Sequence, residues 1–132
     1  MQVVIFKLNK EQFAVETDKV QSINDSMEIT NVPKAPDYIK GLVNLRGNVL
    51  SLLDINLLLD VPKTEGCQDN IIILDMENEL VGISVDQVEE VLDVEEDSIE
   101  KLIDENKEYI EGIINFKDRI VTLININKLL IK

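Results

Sequence analysis

Carboxylates are the side chains best able to do chemistry in this chain, and they crowd one stretch of it. Twelve acidic residues lie between Asp86 and Glu111, against two bases, Lys101 and Lys107. Such a run can bind a cation or offer an acidic docking surface. Its spacing lacks the alternating ligands, the glycine and the closing glutamate of an EF-hand loop. Because charge runs usually form a solvated face, we interpret the run as surface and expect no metal site.

The sequence contains no catalytic constellation. It has no histidine and a single cysteine, Cys67. This excludes Ser-His-Asp and Cys-His catalysis, histidine-ligated zinc and an intrachain disulfide. Acidic neighbours disfavour the Cys67 thiolate, so we interpret this residue as an incidental exposed thiol. We therefore expect a binding module rather than an enzyme, with no cofactor.

The net charge is −13, and it is distributed unevenly. Residues 1–64 carry seven bases and eight acids, whereas residues 65–132 carry six bases and 18 acids. An acidic surface repels nucleic acid and anionic lipid, so we expect neither nucleic-acid binding nor direct membrane contact. An acidic mimic of nucleic acid is one alternative, although the nearly neutral first half speaks against it. The short apolar runs and the lone cysteine indicate a cytoplasmic protein.

An internal repeat organises the chain. Residues 39–59 match residues 110–130 at an offset of 71, with eight identical positions, and upstream the offset is 68. Gly41 thus pairs with Gly112. We predict a single domain, residues 1–132, built from two pseudo-repeats of about 1–65 and 66–132.

The composition favours sheet over helix, because Ile, Val and Leu make up 48 residues and Ala only two. Apolar segments flank polar turns, and one of these is a three-residue turn, Arg46-Gly47-Asn48. We predict a mainly β fold of two small five-stranded β-barrel subdomains packed side by side, one per repeat. Short helical turns follow Asp54 and Asn125, which we expect to act as caps. The spacing over Ser98–Glu111 is also compatible with a helix.

The segment 32–54 resembles the signature of CheW, the bacterial chemotaxis coupling family. The matching residues are Pro33, Pro36, Tyr38, Ile39, Gly41, Asn44-Leu45-Arg46-Gly47 and Asp54. The resemblance covers essentially the whole chain. It implies two five-stranded β-barrels and a non-catalytic adaptor. The adaptor would couple the cytoplasmic tips of chemoreceptors (methyl-accepting chemotaxis proteins) to the regulatory domain of the CheA histidine kinase.

Such a protein would associate with membrane-bound receptor arrays through protein contacts alone. A CheW-like scaffold for a different kinase system is the alternative within the same class. Which barrel faces which partner stays open at this point.

The resemblance also carries over to individual residues. Val20, Gly41 and Arg46 match family positions implicated in coupling, while Ser22 and Ser51 stand where the family usually has Glu and Pro. We expect Asn44 to bond its own turn, and an apolar patch with Asn48 and Asn56 at its rim to bind the kinase. The full set of candidate contact residues is Val20, Ser22, Ile39, Gly41, Asn44, Arg46, Gly47, Asn48, Asn56 and Val88.

Overall fold

The computed structural model describes residues 1–63, 68–77, 79–101 and 107–130. Within these ranges the chain forms eleven strands and two short α-helices. The strands are β1 Gln2–Leu8, β2 Glu11–Glu16, β3 Val20–Asp25, β4 Ile39–Leu45, β5 Asn48–Leu53, β6 Asn70–Met76, β7 Glu79–Val85, β8 Gln87–Asp93, β9 Ile99–Lys101, β10 Ile110–Asn115 and β11 Ile120–Ile124. The helices are α1 Ile55–Leu59 and α2 Ile126–Leu130. Cys67 lies outside the described residues.

Two sheets contain all of these strands, which confirms the prediction of a mainly β fold. The six-stranded sheet has the order β8-β1-β2-β11-β10-β9, and the five-stranded sheet has the order β3-β6-β7-β5-β4. Neighbouring strands are antiparallel except for two parallel pairs, β2 with β11 and β5 with β7. Each sheet therefore contains one parallel pair, and both pairs join a strand of one repeat to a strand of the other.

The repeats do not correspond to the sheets, so the expectation of one five-stranded subdomain per repeat is wrong, and one of the two sheets has six strands. Strands β1 and β2 of the first repeat pair with β8 and β11 of the second, while β6 and β7 of the second pair with β3 and β5 of the first. The apolar runs Val3–Phe6 on β1 and Ile71–Leu74 on β6 lie where the two repeats pair, and all eight of these residues are buried. A run without alternation belongs to an interior strand that is covered on both faces.

Three hydrophobic cores result from this exchange. The largest lies between the sheets and receives Val4 and Phe6 from β1 together with Ile72 and Leu74 from β6. The opposite faces of the same two strands supply separate cores, one for each sheet. The two sheets thus share a core and each has a smaller one of its own.

The expected helical turns are present, and their caps confirm the prediction. Asp54 Oδ1 accepts a hydrogen bond from Leu57 N–H, and Asn125 Oδ1 accepts one from Lys128 N–H, both at 3.2 Å. Over Ser98–Glu111, by contrast, the described residues include strand β9 and the start of β10 instead of a helix. Residues 102–106 of that segment lie outside the described part of the chain.

Candidate partner-binding surface

The β4–β5 hairpin ends in a two-residue turn. Leu45 pairs with Asn48, so the turn contains only Arg46 and Gly47 and is one residue shorter than the sequence predicts. The φ angles of Arg46 and Gly47 are +52° and +88°, and a type I′ turn requires positive values at both positions. Glycine adopts this conformation freely, whereas arginine does so at a cost. The turn therefore fixes the backbone that carries Arg46.

Asn44 stabilises this turn. Its Oδ1 accepts a hydrogen bond of 2.9 Å from Gly47 N–H, which confirms that the side chain serves its own turn. Asn44, Arg46 and Asn48 are all exposed. The two ion pairs found among the described residues do not involve Arg46. Its guanidinium is therefore free to bind an acidic or carbonyl group of a partner.

Val49 adds an apolar side chain beside the turn, with 63% of its surface exposed. Sequence reasoning did not single it out, because an apolar residue at a strand start is usually buried. We call Asn44, Arg46, Gly47, Asn48 and Val49 the hairpin-tip surface. It combines a planar cation with amide groups and an apolar contact, which is the composition of many protein interfaces.

Gly41 is buried and has a structural role. A Cβ added at this position would lie 2.5 Å from Ile29 Cγ2 and 2.6 Å from Thr30 O. The repeat-equivalent Gly112 would bring its Cβ within 2.7 Å of Ile99 Cγ2 and 2.6 Å of Glu100 O. Both glycines also follow a bulge in the strand pairing. The matched surroundings show that glycine is needed where another segment crosses closely.

The remaining candidates lie away from the hairpin tip. Val20, Ile39 and Val88 are partly buried and pack against the core between the sheets. Ser22 Oγ accepts a hydrogen bond of 2.9 Å from Asn24 Nδ2. The structure therefore groups Asn44, Arg46, Gly47 and Asn48, and separates them from the core-packed candidates.

Asn56 is only 2% exposed, so its side chain is not at the rim of a surface. Its Nδ2 donates to Pro62 O at 3.2 Å, and its Oδ1 accepts from Gln68 Nε2 at 2.9 Å. The Asn56 amide thus ties α1 to the segment that follows it. We leave this residue out of the contact surface proposed below.

Gln68 joins Asn56 to a polar cluster that spans both sheets. Lys40 Nζ donates to Gln68 Oε1 at 2.9 Å, and Gln68 Nε2 donates to Asp86 Oδ1 at 3.2 Å. Asp86 Oδ2 in turn accepts from Asn9 N–H at 2.8 Å. Burial and the neighbouring Lys63 lower the pKa of Lys40. The cluster connects β4 of one sheet with the β1–β2 turn of the other.

The β10–β11 hairpin is held differently from the β4–β5 hairpin. Arg119 forms an ion pair with Glu90 on β8, and its guanidinium carbon lies 5.1 Å from the centre of the Phe116 ring. Phe116 N–H donates to Arg119 O at 2.9 Å. We call the Glu90 and Arg119 pair the clamp. The repeat offsets of 68 and 71 align Glu90 with Ser22 and Arg119 with Asn48, so the sequence shows that this charge pair is particular to the second repeat but does not show that the two residues meet.

Carboxylates converge at the end of β2. Burial raises the pKa of Glu16, and the negative charges of Asp18 and Glu111 raise it further. Glu111 Oε1 accepts a hydrogen bond of 2.8 Å from Asn125 Nδ2. Across the described ranges, no group of three or more Asp, Glu, Cys or His side chains is placed to hold a metal ion. None of the described helices is long and apolar enough to cross a membrane.

Comparison with known proteins identifies the fold and the family. The family model described as the CheW-like domain matches residues 2–132. The chain belongs to the CheW-like domain family. The crystal structure of the scaffolding protein TtCheW from Thermoanaerobacter tengcongensis superposes on it with a TM-score of 0.87. That alignment has 27% sequence identity and covers 99% of this chain and 92% of TtCheW.

Curated relatives carry the same family name. Chemotaxis protein CheW of Bacillus subtilis is 33% identical over 86 residues, which cover 64% of this chain and 55% of that relative. Chemotaxis protein CheW of Thermotoga maritima is 26% identical over 87 residues, which cover 66% and 58%. The aligned segment thus spans little more than half the length of these relatives. The chain is a member of a chemotaxis scaffold family with the CheW fold.

Proposed function

We propose that this protein is a cytoplasmic adaptor that couples the signalling tips of chemoreceptors to the CheA histidine kinase. The observation that carries the proposal is the CheW-like match over residues 2–132, together with a fold that agrees with a chemotaxis scaffold along nearly its whole length. The role needs no catalytic group. It needs surfaces that two partners bind at the same time.

The receptor contact in this proposal is the hairpin-tip surface. Arg46 is exposed and takes part in neither of the ion pairs found among the described residues. Its planar donors suit the carboxylates and carbonyl oxygens of a receptor helix. Val49 lies three residues further along and offers an apolar contact. A charged hydrogen bond next to an apolar contact gives both specificity and affinity.

The kinase contact in this proposal uses an apolar patch of the five-stranded sheet. Residues 1–64, which include three strands of that sheet, carry a net charge of only −1, with seven bases and eight acids. Asn48 is exposed and in this proposal marks the border between the receptor contact and the rim of the kinase contact. An apolar contact of this kind loses little affinity as salt is added. A nucleic-acid mimic would instead lose affinity steeply.

The proposal is tested by pull-down of the protein with a receptor signalling tip and with a CheA regulatory domain, each alone and together. We expect each partner to bind alone and a ternary complex to form with both. Receptor-dependent kinase activation in a reconstituted array then measures coupling. Binding to the receptor tip without binding to CheA would indicate a scaffold for a different kinase system. Binding to neither partner would refute the proposal.

A further inference from the structure

We propose that the Glu90–Arg119 clamp is a locking device that holds the β10–β11 hairpin in place across the six-stranded sheet, and that no such ion pair within the described part of the chain holds the β4–β5 hairpin. The proposal concerns the free protein and does not depend on the adaptor function. It starts from the strand order. Glu90 lies on β8, an edge strand, and Arg119 immediately precedes β11.

The ion pair spans strands that are not neighbours. Two strands, β1 and β2, lie between β8 and β11. Neighbouring strands are about 4.8 Å apart, so β8 and β11 would be roughly 14 Å apart in a flat sheet. Extended arginine and glutamate side chains can only just span such a separation, so curling of the sheet favours this contact. The clamp joins the edge strand to the far hairpin and opposes the flattening of the sheet.

The surroundings of Arg119 indicate a specifically held side chain. The Nε atom of Arg119 is buried and has no hydrogen-bond partner, which is unfavourable unless other contacts compensate. Two contacts do so, namely the ion pair with Glu90 and the stacking on Phe116. Phe116 itself packs on the core of the six-stranded sheet, as does Leu92 from β8. The clamp thus lies over strands that share one core.

The five-stranded sheet provides an internal comparison. Ser22 pairs with Ile73 after a bulge at Gln21, just as Glu90 pairs with Ile5 after a bulge at Glu89. Ser22 therefore occupies the place of Glu90 beside a matching bulge. Asn48 is the repeat equivalent of Arg119, but it follows a turn with positive φ angles at Arg46 and Gly47, which Lys117 and Asp118 do not share. These short uncharged side chains cannot form an ion pair. The β4–β5 hairpin is held by its strand pairing and by the bond between Asn44 and Gly47.

The test measures hydrogen exchange of individual amides by NMR in the free protein. Glu90→Gln removes the charge and keeps the shape, and Glu89→Gln, at an exposed neighbouring position, is the matched control. We expect Glu90→Gln to accelerate exchange of the Phe116 amide by about 5-fold, the upper range for a partly exposed ion pair. We expect Glu89→Gln to change this exchange by less than about 2-fold. Equal rates in both variants would overturn the proposal.

A transplant tests the same idea in the opposite direction. Ser22→Glu with Asn48→Arg would install the clamp on the five-stranded sheet, and Ser22→Gln with Asn48→Arg is the control without the carboxylate. We expect the first variant to slow exchange of the Gly47 amide by about 3-fold relative to the second. No difference would show that the local geometry does not support a clamp. If the transplant variant does not fold, the comparison of Glu90→Gln with Glu89→Gln still tests the proposal.

Discussion

The two hairpins that end in β5 and β11 derive from equivalent parts of the repeat, yet they differ in what holds them. The β4–β5 hairpin ends in a tight turn with the exposed cation Arg46. In the β10–β11 hairpin the equivalent of Arg46 is Lys117, and Arg119 is engaged in an ion pair with Glu90. Both tips thus present an exposed cation, and the β10–β11 hairpin has a second cation, Arg119, that is held in an ion pair. Duplication has preserved the strand pairing, while the turns and the side chains at the tips differ, because Arg46 and Gly47 have positive φ angles and Lys117 and Asp118 do not.

Gly41 and Gly112 test what the two repeats have in common, and substituting them should have the largest effect on stability. Gly41→Ala would bring a Cβ to 2.6 Å from Thr30 O, and Gly112→Ala to 2.6 Å from Glu100 O. We expect each substitution to lower the free energy of unfolding by about 3 kcal/mol, because the neighbouring backbone must shift. Urea denaturation measures both.

Gly47→Ala is the control for the two buried glycines, because nothing lies within 4 Å of its added Cβ and only its φ of +88° is unfavourable. We expect it to cost about 1 kcal/mol. If Gly41→Ala were no more costly than this control, the close approach of Thr30 would not be what requires glycine.

Charge reversal tests the side chains at the two hairpin tips, which differ between the repeats. We expect Arg46→Glu to weaken binding to a receptor tip by about 10-fold or more, because a charged hydrogen bond is lost and repulsion is added. Lys117→Glu makes the same reversal at the equivalent place of the other hairpin and should change affinity by less than about 2-fold. Titration calorimetry with the receptor tip measures both variants.

Thermal melting of the two reversal variants separates binding from folding. Both positions are exposed, so we expect stability to change by less than about 0.5 kcal/mol. An Arg46→Glu protein that melts early would assign Arg46 a structural role. Equal loss of affinity in both variants would mean that the acidic surface as a whole, and not the β4–β5 tip, governs receptor binding.

The two helix caps extend the comparison of the repeats to substitutions with a smaller expected effect on stability. Asp54→Ala and Asn125→Ala each remove a side-chain acceptor, and we expect a loss of about 1 kcal/mol from each. Each residue has one further contact, because Asp54 is paired with Lys63, 2.8 Å away, and Asn125 Nδ2 donates to Glu111, so we expect similar losses from the two substitutions. Lys63→Ala isolates that ion pair, whose lysine is 62% exposed and therefore contributes little. Thermal denaturation of the three variants gives the ranking.

Substitution of Glu16 should have the smallest effect on stability. The raised pKa of Glu16 means that its charged form is disfavoured in the fold, so ionisation lowers stability as the pH rises above 4.5. As the pH rises above 4.5, Glu16→Gln should therefore become more stable relative to the wild type. Well below pH 4.5 it should show no such gain. At the equivalent place β7 has the buried, uncharged Ser84.

Melting temperatures measured from about pH 3.5 to about pH 8 check this prediction, because that range includes the titration of a carboxyl whose pKa is ordinary or raised. Glu11→Gln removes the same charge from the exposed start of β2 and corrects for the change in net charge. A pH dependence identical in the two variants would contradict the assigned cause.

Local features of the fold were predictable from the sequence, and long-range pairing was not. The cap at Asp54 and the turn bond of Asn44 depend on side chains within three residues, which the sequence displays directly. The exchange of strands between repeats depends on which distant strand covers each face of Val3–Phe6. Periodicity shows that both faces are buried but not by which strand.

The candidate site divides in the same way. Arg46 and Asn48 were predicted to be exposed at a hairpin end, and they are. Asn56 was misplaced because it lies on a short helix whose buried face is set by packing rather than by its own polarity. The ion pair of Glu90 with Arg119 joins residues 29 positions apart through sheet curvature, for which no short-range pattern exists.

The exchange of strands also constrains biogenesis. Strands β1 and β2 are made before the strands that flank them in their sheet, because β8 and β11 come much later in the chain. The β1–β2 hairpin must therefore wait with its apolar faces uncovered while some 70 further residues are made before β8 begins. Such non-local pairing slows folding and favours aggregation of the nascent chain. A chaperone that covers Val3–Phe6 during synthesis would protect an apolar segment that lacks its neighbouring strand until β8 is made.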